Sequence, residues 1–365
     1  MKIFMQTPVE KIEIQNHTIS HIDYFNFLDK KTTFSDKLRL GVSGSSLFGR
    51  LRNPEYINKL YLSDDPGYIK YLNEFKDRYH DYDVIVMNPG VDLVHPEFLY
   101  KNFPNSIKCL HFIDDPHTTY SYGLPFSWVF DCATYISPSY NVNFTMKEIL
   151  KLAGFKKTKW MPHCVTNINR PKYGIKELEK QLITRNNKAI YVGSYYSGKN
   201  QRLIHLKKEL KNNLDIYGRY PLKGFFFPFS SFALGKPLLS RVKSISNTQR
   251  DNYYDEYSIG VNMHLSSPSL ETGNARLYEL AYRGLAQVVD TSPFSLLENI
   301  FEPEKEILTY TNIEECVEQV KRLQKDKDLR QKIALNSYNR ALKEYNYKDK
   351  LIDLFDWFKS IQKNK

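Results

Sequence analysis

Short apolar runs alternate along the chain with longer segments that have the apolar periodicity of helices. The runs are continuously apolar rather than strictly alternating, which is typical of strands covered by helices on both faces, and so of mainly parallel sheets. Both halves of the sequence show this alternation, which predicts an α/β fold. The predicted strands lie at 84–87, 107–113, 133–136, 189–192, 214–217, 259–263 and 287–289.

A polar and charged stretch, 166–188, separates the two halves and contains Pro171 and Gly174. This composition is typical of a domain boundary, and part of the stretch has helical character. Because 365 residues exceed what one core commonly holds, we expect two domains. We place an N-terminal domain at 1–170, a second domain at 171–345 and a C-terminal helix at 346–365.

The last helix carries an apolar stripe that has to pack against another element. We expect it to pack back on the N-terminal domain. The stripe consists of Leu351, Leu354, Phe355, Trp357 and Phe358.

The formal net charge is +11, from 52 basic and 41 acidic residues, so the surface is expected to attract anions. No RNA-binding signature or interleaved aromatic platform accompanies this charge, and nucleic acid is therefore not expected as a partner. Basic clusters at 156–159 and 207–211 fit solvated helix faces, or a peripheral contact with an anionic membrane. Both interpretations stay open.

No stretch approaches the roughly 18–20 apolar residues of a membrane-spanning helix, and residues 1–13 carry charges. We therefore expect a cytoplasmic protein, with the inner face of the membrane as the alternative location. The four cysteines are scattered and are expected to be reduced packing residues.

Two irregular segments have open roles. The segment 221–247 holds five phenylalanines between Gly224 and Gly235, and it predicts an inserted loop that forms a contact surface or packs on the protein's own core. The glycine-rich segment 41–50 lacks the ending of a nucleotide-triphosphate loop. It fits a flexible turn or an acceptor-side loop.

The segment 266–290 is the most informative for function, because Glu271 and Glu279 flank seven residues there. Thr272, Gly273 and Asn274 form a turn with a capping residue, and 275–282 has good helix propensity. Amide groups at a helix start bind anions such as a sugar diphosphate.

The side chains around this turn suit a nucleotide sugar. Gly273 lets a ligand come close, Glu279 can accept hydrogen bonds from both ribose hydroxyls, and Glu271 can hold sugar hydroxyls. The alternative is a surface helix with an N-terminal cap and two unrelated acids, which the spacing alone leaves open.

An ordered series of motifs surrounds this pair: Tyr191-Val-Gly193-Ser194, Leu214-Asp-Ile-Tyr-Gly218, Tyr257-Ser-Ile-Gly-Val-Asn262-Met-His264, Arg276-Leu-Tyr-Glu279-Leu-Ala, and Phe301-Glu-Pro-Glu-Lys-Glu306. The series resembles the C-terminal domain of retaining GT-B glycosyltransferases, and most closely their CgeB-like group. The resemblance implies two facing Rossmann-like domains and a UDP- or GDP-sugar donor, with no bound cofactor and no metal. Its donor-binding positions are Gly193, Ser194, Lys199, Arg219, Gly273, Asn274, Arg276 and Glu279, with Lys199 and Glu271 also catalytic.

The sequence departs from the retaining pattern in two places. Ser194 stands where an arginine is common, although Lys199 keeps the second cation that neutralises the leaving diphosphate. Arg202, Arg219 and Arg276 are candidates for the missing charge. The turn at 272–274 also differs from the family's usual residues, which leaves the stereochemical outcome open.

In the N-terminal half, a predicted strand ends in Asp114-Asp115-Pro116-His117. A turn at this end of a strand lies in the crevice where open α/β sheets bind ligands. The CgeB-like group carries a similar sequence, which implies an acceptor-side role for Asp114 and Asp115 and a catalytic one for His117. A turn with capping acids is the alternative, and a metal site is not expected, because adjacent aspartates in a strand point to opposite sides.

Two further histidines, His163 and His264, lie in strand-like runs and are expected to be satisfied core residues rather than catalytic ones.

The expected function is transfer of a sugar from a nucleotide-sugar donor to a glycan, lipid-linked or protein acceptor, in bacterial surface glycoconjugate synthesis, with retention as the outcome the resemblance implies. Two alternatives stay open. One is a non-catalytic CgeB-like protein that binds a nucleotide sugar or glycan in surface assembly, and the other is a nucleotide-sugar epimerase or hydrolase of GT-B fold.

Overall fold

The computed structural model describes residues 1–5, 11–14, 17–20, 54–87, 94–112, 124–138, 143–164, 173–193, 197–218, 245–264, 273–292 and 295–363. The strands in these ranges are β1 (Lys2–Phe4), β2 (Lys11–Ile14), β3 (His17–Ser20), β4 (Val84–Met87), β5 (Ile107–Phe112), β6 (Cys132–Tyr135), β7 (Thr158–Trp160), β8 (Asn186–Val192), β9 (Leu214–Tyr217), β10 (Tyr257–Asn262), β11 (Ala286–Asp290) and β12 (Leu308–Tyr310). The helices are α1 (Pro54–Leu62), α2 (Pro66–Tyr79), α3 (Pro96–Asn102), α4 (Met146–Leu152), α5 (Ile175–Thr184), α6 (Ser197–Leu210), α7 (Asn247–Glu256), α8 (Ala275–Tyr282), α9 (Ile313–Lys325), α10 (Lys327–Glu344) and α11 (Tyr347–Gln362).

The chain forms two compact units, Met1–Pro162 with Leu351–Lys365, and His163–Lys350. The sequence analysis places its limits elsewhere, at 170 and 345. The C-terminal part of α11 therefore belongs to the first unit, as its apolar stripe predicts. Within that unit Lys159 Nζ lies 3.0 Å from an Asp353 carboxylate oxygen.

The first unit is built on a seven-stranded sheet of order β2-β3-β1-β4-β5-β6-β7. All its pairings are parallel except β2 with β3. Every residue of β4, β5 and β6 is buried, so these mainly apolar strands show no alternation of buried and exposed positions. The core includes an aromatic group in which the ring centroids of Phe4 and Phe75 lie 5.0 Å apart, edge to face.

His95 caps α3 in this unit and is 3% exposed. Its Nδ1 accepts a hydrogen bond from the Glu97 amide at 3.2 Å, and its Nε2 lies 3.1 Å from Asn58 Oδ1. The ring stacks on Tyr61 at 4.0 Å. Burial lowers the pKa of His95 to about 4, so the imidazole is neutral at physiological pH.

The second unit is built on a five-stranded, wholly parallel sheet of order β12-β11-β10-β8-β9. Strand β9, the next strand after β8 in the sequence, pairs with one edge of β8, and β10, which follows β9, pairs with the other edge. Connections that diverge in this way open a crevice at the carboxyl ends of the two strands, which is where open α/β sheets bind ligands. The topology therefore places a candidate site at the ends of β8 and β10.

The helix α8 packs closely on this sheet. A side-chain carbon on Gly260, in β10, would lie 2.8 Å from Leu280 Cδ2 of α8, so glycine is needed for the close approach. This packing brings the first turn of α8 to the ends of β8 and β10.

The predicted strands are confirmed, with end points that differ by a few residues at most. The helix predicted over 275–282 is confirmed at both ends, and the helical tail is α9, α10 and α11. The four cysteines are free thiols. Segment 41–50, and 221–247 up to residue 244, lie outside the described residues. Within the described ranges, the structure has no helix of the length and apolarity that a membrane span requires.

Candidate functional site

The start of α8 is fixed by two asparagines. Asn274 caps the helix, and its Oδ1 accepts a hydrogen bond from the Leu277 amide at 3.1 Å. The side-chain amides of Asn274 and Asn262 also donate to each other, at 3.0 Å in both directions. Because Asn262 is fully buried at the end of β10, this pair ties the helix start to the sheet.

Gly273, the residue before the cap, has a φ of +84°, which favours glycine. A side-chain carbon there would lie 2.6 Å from Ile300 Cδ1. The structure thus gives Gly273 a backbone and packing reason, whereas the sequence analysis expects close approach of a ligand. Within the described part of the chain, the amides of Ala275 and Arg276 donate no hydrogen bond to the protein.

Arg276 extends from α8 to the end of β8. Its Nε donates to the Val192 carbonyl at 2.5 Å, and one terminal nitrogen donates to Asn262 Oδ1 at 3.2 Å. The guanidinium carbon lies 4.9 Å from the centroid of the Tyr191 ring. The other terminal nitrogen fills the space beside Gly193, where a side-chain carbon would lie 2.2 Å from it. A side chain at position 193 would therefore have to displace the Arg276 guanidinium or the Tyr191 hydroxyl.

The guanidinium stays charged. Burial by itself lowers the pKa of Arg276, but Tyr191, Tyr254 and the carboxylates of Glu279 and Asp290 more than offset it, so the pKa lies above its usual value. Among the described residues no carboxylate forms an ion pair with this group. Among the described residues the buried Tyr191 hydroxyl has no hydrogen-bond partner, and it lies 2.8 Å from the position that a side-chain carbon on Gly193 would take.

Two cations of α6 differ in how they are held. Lys199 lies in the first turn and is 7% exposed. A buried ammonium at the positive end of a helix dipole is unfavourable unless anionic or polar groups face it. Arg202, one of the candidates for the missing phosphate-binding charge, instead donates to Asp290 at 3.3 Å and to the His264 carbonyl at 3.0 Å.

His264 is a satisfied core histidine, as predicted. It is 1% exposed, and its Nδ1 lies 2.7 Å from Asp290 Oδ1. Its Nε2 accepts a hydrogen bond from the Gly273 amide at 3.3 Å. The neutral Nδ1–H tautomer satisfies both contacts, so His264 links the buried Asp290 to the turn before α8.

Asp290, at the end of β11, was missed by the sequence analysis as part of the site. Its carboxylate also accepts hydrogen bonds from the His264 amide, at 2.9 and 3.0 Å. Burial raises the pKa of Asp290. The His264 ring, the hydrogen bonds from His264 and the charge of Arg202 lower it by more than burial raises it, so the pKa lies below its usual value. The network is therefore ionised at Asp290.

Glu279 is paired with Arg250 of α7, whose NH1 lies 3.3 Å from Glu279 Oε1. The carboxylate is partly exposed, and Oε2 has no partner among the described residues. Burial raises the pKa of Glu279, and the charges of Arg250 and Arg276 offset part of that effect. No motif in the sequence marks Arg250, so the sequence analysis missed it.

Six of the predicted donor-binding residues lie in the described part of the second unit: Gly193, Lys199, Gly273, Asn274, Arg276 and Glu279. Contacts through Asn262 join Gly193, Asn274 and Arg276 into one group. The other site predictions lie outside the described residues and stay predictions: Asp114, Asp115, His117, Ser194, Arg219 and Glu271. His163 lies edge-on to Tyr278, with ring centroids 6.3 Å apart. In the described ranges, no group of three or more His, Cys, Asp or Glu side chains is placed to hold a metal ion.

Part of the sequence matches a known protein family. Residues 200–356 match a family model described as glycosyl transferase-like. The sequence has no significant match among curated proteins.

Solved structures share the fold at low sequence identity. Sucrose-phosphate synthase from Thermosynechococcus elongatus is 12% identical with a TM-score of 0.60, over 100% of this chain and 89% of that protein. HepE from Anabaena, solved in complex with UDP and glucose, is 14% identical with a TM-score of 0.56, over 79% of this chain and 81% of that one.

A TarM variant from S. aureus, solved with fondaparinux, alpha-GlcNAc-glycerol and UDP, is 12% identical with a TM-score of 0.51, over 75% of this chain. This chain covers 55% of TarM, just over half of its length. These solved structures show that the chain has the two-domain α/β fold named GT-B, and residues 200–356, somewhat less than half of the chain, resemble the glycosyl transferase-like family.

Proposed function

We propose that this protein is a glycosyltransferase that uses a UDP- or GDP-linked sugar as donor and binds it at the carboxyl edge of the five-stranded sheet. The observation that carries the proposal is the convergence of Gly193, Arg276 and the cap of α8 where the connections of β8 and β10 diverge. HepE, which shares the fold, was solved with UDP and glucose, and this agrees with a UDP-linked donor.

The diphosphate is assigned to the start of α8. The amides of Ala275 and Arg276 lie at the positive end of the helix dipole and are unused by the described protein groups. Such amides bind phosphate oxygens. Arg276 adds a permanent positive charge beside these amides. This supports Arg276 as the residue that replaces the arginine common at position 194, where this chain has serine.

Lys199 is assigned to the leaving group. In the transfer the bond between the anomeric carbon and the diphosphate oxygen breaks, and the acceptor oxygen forms a new bond to that carbon. Negative charge develops on the departing diphosphate, and a positioned ammonium stabilises it more in the transition state than in the bound donor. The burial of Lys199 supports this role, since a low dielectric strengthens the interaction.

Glu279 is assigned to the ribose. It lies in the second turn of α8, beyond the proposed diphosphate position, and its Oε2 has no partner among the described residues. A carboxylate can accept from both ribose hydroxyls. Glu271, on the other side of the turn, is proposed to hold sugar hydroxyls.

The acceptor is proposed to be a glycan, a lipid-linked glycan or a protein in bacterial surface glycoconjugate synthesis. His117 is proposed to take the proton of the attacking hydroxyl, with Asp114 and Asp115 orienting the acceptor, because a base has to reach that hydroxyl. Retention of configuration, independence of metal ions and a peripheral contact with the inner membrane face belong to the same proposal.

Binding of the donor is tested by a thermal-shift screen against UDP, GDP and their common sugar conjugates. A donor at a hundred times its Kd is expected to stabilise the fold by about 2.7 kcal/mol. Lys199→Ala and Arg276→Ala are expected to weaken the shift, and Lys208→Ala, on the exposed side of α6, serves as the matched control. A screen in which no nucleotide raises the melting temperature would contradict the proposed donor site.

Turnover separates transfer from the alternatives. With donor alone, a transferase gives only slow hydrolysis, whereas a hydrolase or epimerase converts the donor completely. A binding protein without activity gives a thermal shift and no product with any acceptor. Full activity after treatment with EDTA is expected, and its loss would contradict the proposed metal independence.

A further inference from the structure

A line of alternating charges joins α7 to α8 and runs from Glu279 through Arg250, Asp251 and Arg283 to Asp255. Arg250 NH1 lies 3.3 Å from Glu279 Oε1, and its NH2 lies 3.2 Å from Asp251 Oδ1. Asp251 in turn lies 2.6 Å from NH2 of Arg283, whose NH1 lies 3.7 Å from Asp255 Oδ1. None of the five side chains is more than about a third exposed.

The two arginines of this line have different neighbours. Arg283 is bound to the two aspartates of α7, while Arg250 is the group that contacts Glu279. Holding α7 against α8 is thus a task that Arg283 can perform without touching the ribose-binding carboxylate. The contact of Arg250 with Glu279 needs a further reason.

A carboxylate that accepts ribose hydroxyls has to be ionised and has to keep a fixed orientation. Arg250 meets both needs, because it places a positive charge 3.3 Å from Oε1 on a side chain that is itself held by hydrogen bonds to Asp251. Among the described residues no hydrogen-bond or ion-pair partner contacts Oε2, which can therefore accept hydrogen bonds. A fixed orientation matters because a misplaced binding group loses much of its hydrogen-bond energy.

We propose that Arg250 is a positioning residue of the nucleotide site, which keeps Glu279 ionised and oriented to accept the ribose 2′- and 3′-hydroxyls. The inference rests on the proposed function, since it assumes that Glu279 contacts the ribose. It adds a residue that determines selectivity for a ribonucleotide over a deoxyribonucleotide donor.

The pKa of Glu279 provides a second readout. The groups that act on this carboxylate are Arg250, Asp251 and Tyr254 of α7, Arg276 of α8, and Arg283 at the C-terminal cap of α8. Burial raises its pKa and Arg250 is the first of the groups that lower it, so loss of Arg250 raises the pKa further. As the pH is lowered, Glu279 of the variant is then protonated at a higher pH than in the wild type, and ribose recognition is lost at that higher pH.

The test measures Kd by calorimetry for UDP and for 2′-deoxy-UDP, or for GDP and 2′-deoxy-GDP if GDP is the diphosphate that binds. The ratio of the two Kd values reports the ribose contact and cancels the titration of the phosphates. In the wild type the deoxynucleotide is expected to bind about tenfold more weakly, the loss of one hydrogen bond to a charged group.

In Arg250→Ala the ratio is expected to fall toward one, and its decline at low pH is expected to begin at a higher pH. Arg250→Lys keeps the charge but not the fork of donors, so an intermediate ratio with a nearly unchanged pH profile is expected. If Arg250→Ala does not fold, the lysine variant carries the test by itself. Arg283→Ala is the matched control, expected to lower the melting temperature and to leave the ratio as in the wild type.

The inference is overturned if the Arg250 variants keep the wild-type ratio and pH profile. It is also overturned if Arg283→Ala lowers the ratio as much as Arg250→Ala, since the whole line of charges would then be structural. Failure of the proposed function looks different, because the wild type itself would then bind neither diphosphate, or bind the deoxynucleotide as tightly as the ribonucleotide.

Discussion

Replacement of Asp290 by alanine is the sharpest test of how the fold holds the donor site. The carboxylate is 4% exposed and accepts hydrogen bonds from the His264 amide, from His264 Nδ1 at 2.7 Å and from Arg202 at 3.3 Å. The variant leaves two buried donors of His264 without a partner, and Arg202 without its carboxylate. Both effects act on the same strand ends.

The magnitude follows from the burial of the partners. A buried donor left without its hydrogen bond costs about 1–3 kcal/mol, so loss of the carboxylate is expected to cost about 2–6 kcal/mol through the two His264 donors. Little of this comes from Arg202, because it is 29% exposed and a partly solvated ion pair contributes about 1 kcal/mol or less. The two His264 donors therefore account for most of the loss, and Asp290→Asn, which keeps one acceptor, is expected to lose about half as much.

The assay is urea denaturation followed by circular dichroism, with Arg202→Ala as the matched control. Asp290→Ala is expected to lower the midpoint with an unchanged m-value, and Arg202→Ala to lower it by a third or less of that amount. Because the pKa of Asp290 is lowered in the folded state, its stabilisation is present above the usual carboxyl pKa of about 4 and is lost as the pH falls below it. A loss below about 1 kcal/mol in Asp290→Ala would refute the reasoning.

Three further predictions concern the site and the first unit. Lys199→Ala is expected to lower turnover by about tenfold to a thousandfold, the effect of losing one charge-stabilising donor, whereas Lys208→Ala should not; an unchanged rate in a folded Lys199 variant would remove it from the site. Gly193→Ala is expected to displace the Arg276 guanidinium, 2.2 Å from the new carbon, and to weaken donor binding in calorimetry by about tenfold; unchanged affinity would contradict the phosphate assignment. The wild type is expected to lose stability in acid because His95 is protonated more readily in the unfolded chain. His95→Asn keeps a side chain that can cap α3 but does not titrate, so this loss is expected to disappear. Since the folded pKa of His95 is about 4 and the unfolded value about 6.5, the wild type should lose about 3 kcal/mol as the pH falls from 6.5 to 4; equal pH dependence of both proteins in urea denaturation would refute this.

Local pattern was sufficient for the elements of the second unit. The strand predicted at 259–263 became β10, and the helix predicted over 275–282 became α8, capped by Asn274 as its residue type indicates. Burial of His264 was also predictable, because its neighbours are apolar. These features depend on residues close in sequence, and such residues determine periodicity and capping.

Tertiary structure changed the interpretation of several candidates. Arg202 and Arg276 are equivalent in the sequence as spare cations, yet the fold binds Arg202 to the buried Asp290 and directs Arg276 to the end of β8. Gly273 was predicted for ligand approach, and the structure shows that its positive φ and the contact with Ile300 also require glycine.

The sequence by itself determined the α/β class, the strands, the cap of α8 and the group of residues from which a nucleotide site can be built. Only the tertiary structure decided which of these groups meet, because β8, β10 and β11 lie side by side in the sheet while their residues are far apart along the chain. The pairings of His264 with Asp290 and of Arg250 with Glu279 arise from that strand order and from the packing of α7 and α8. No local pattern encodes such pairings, since each depends on the register and packing of whole elements.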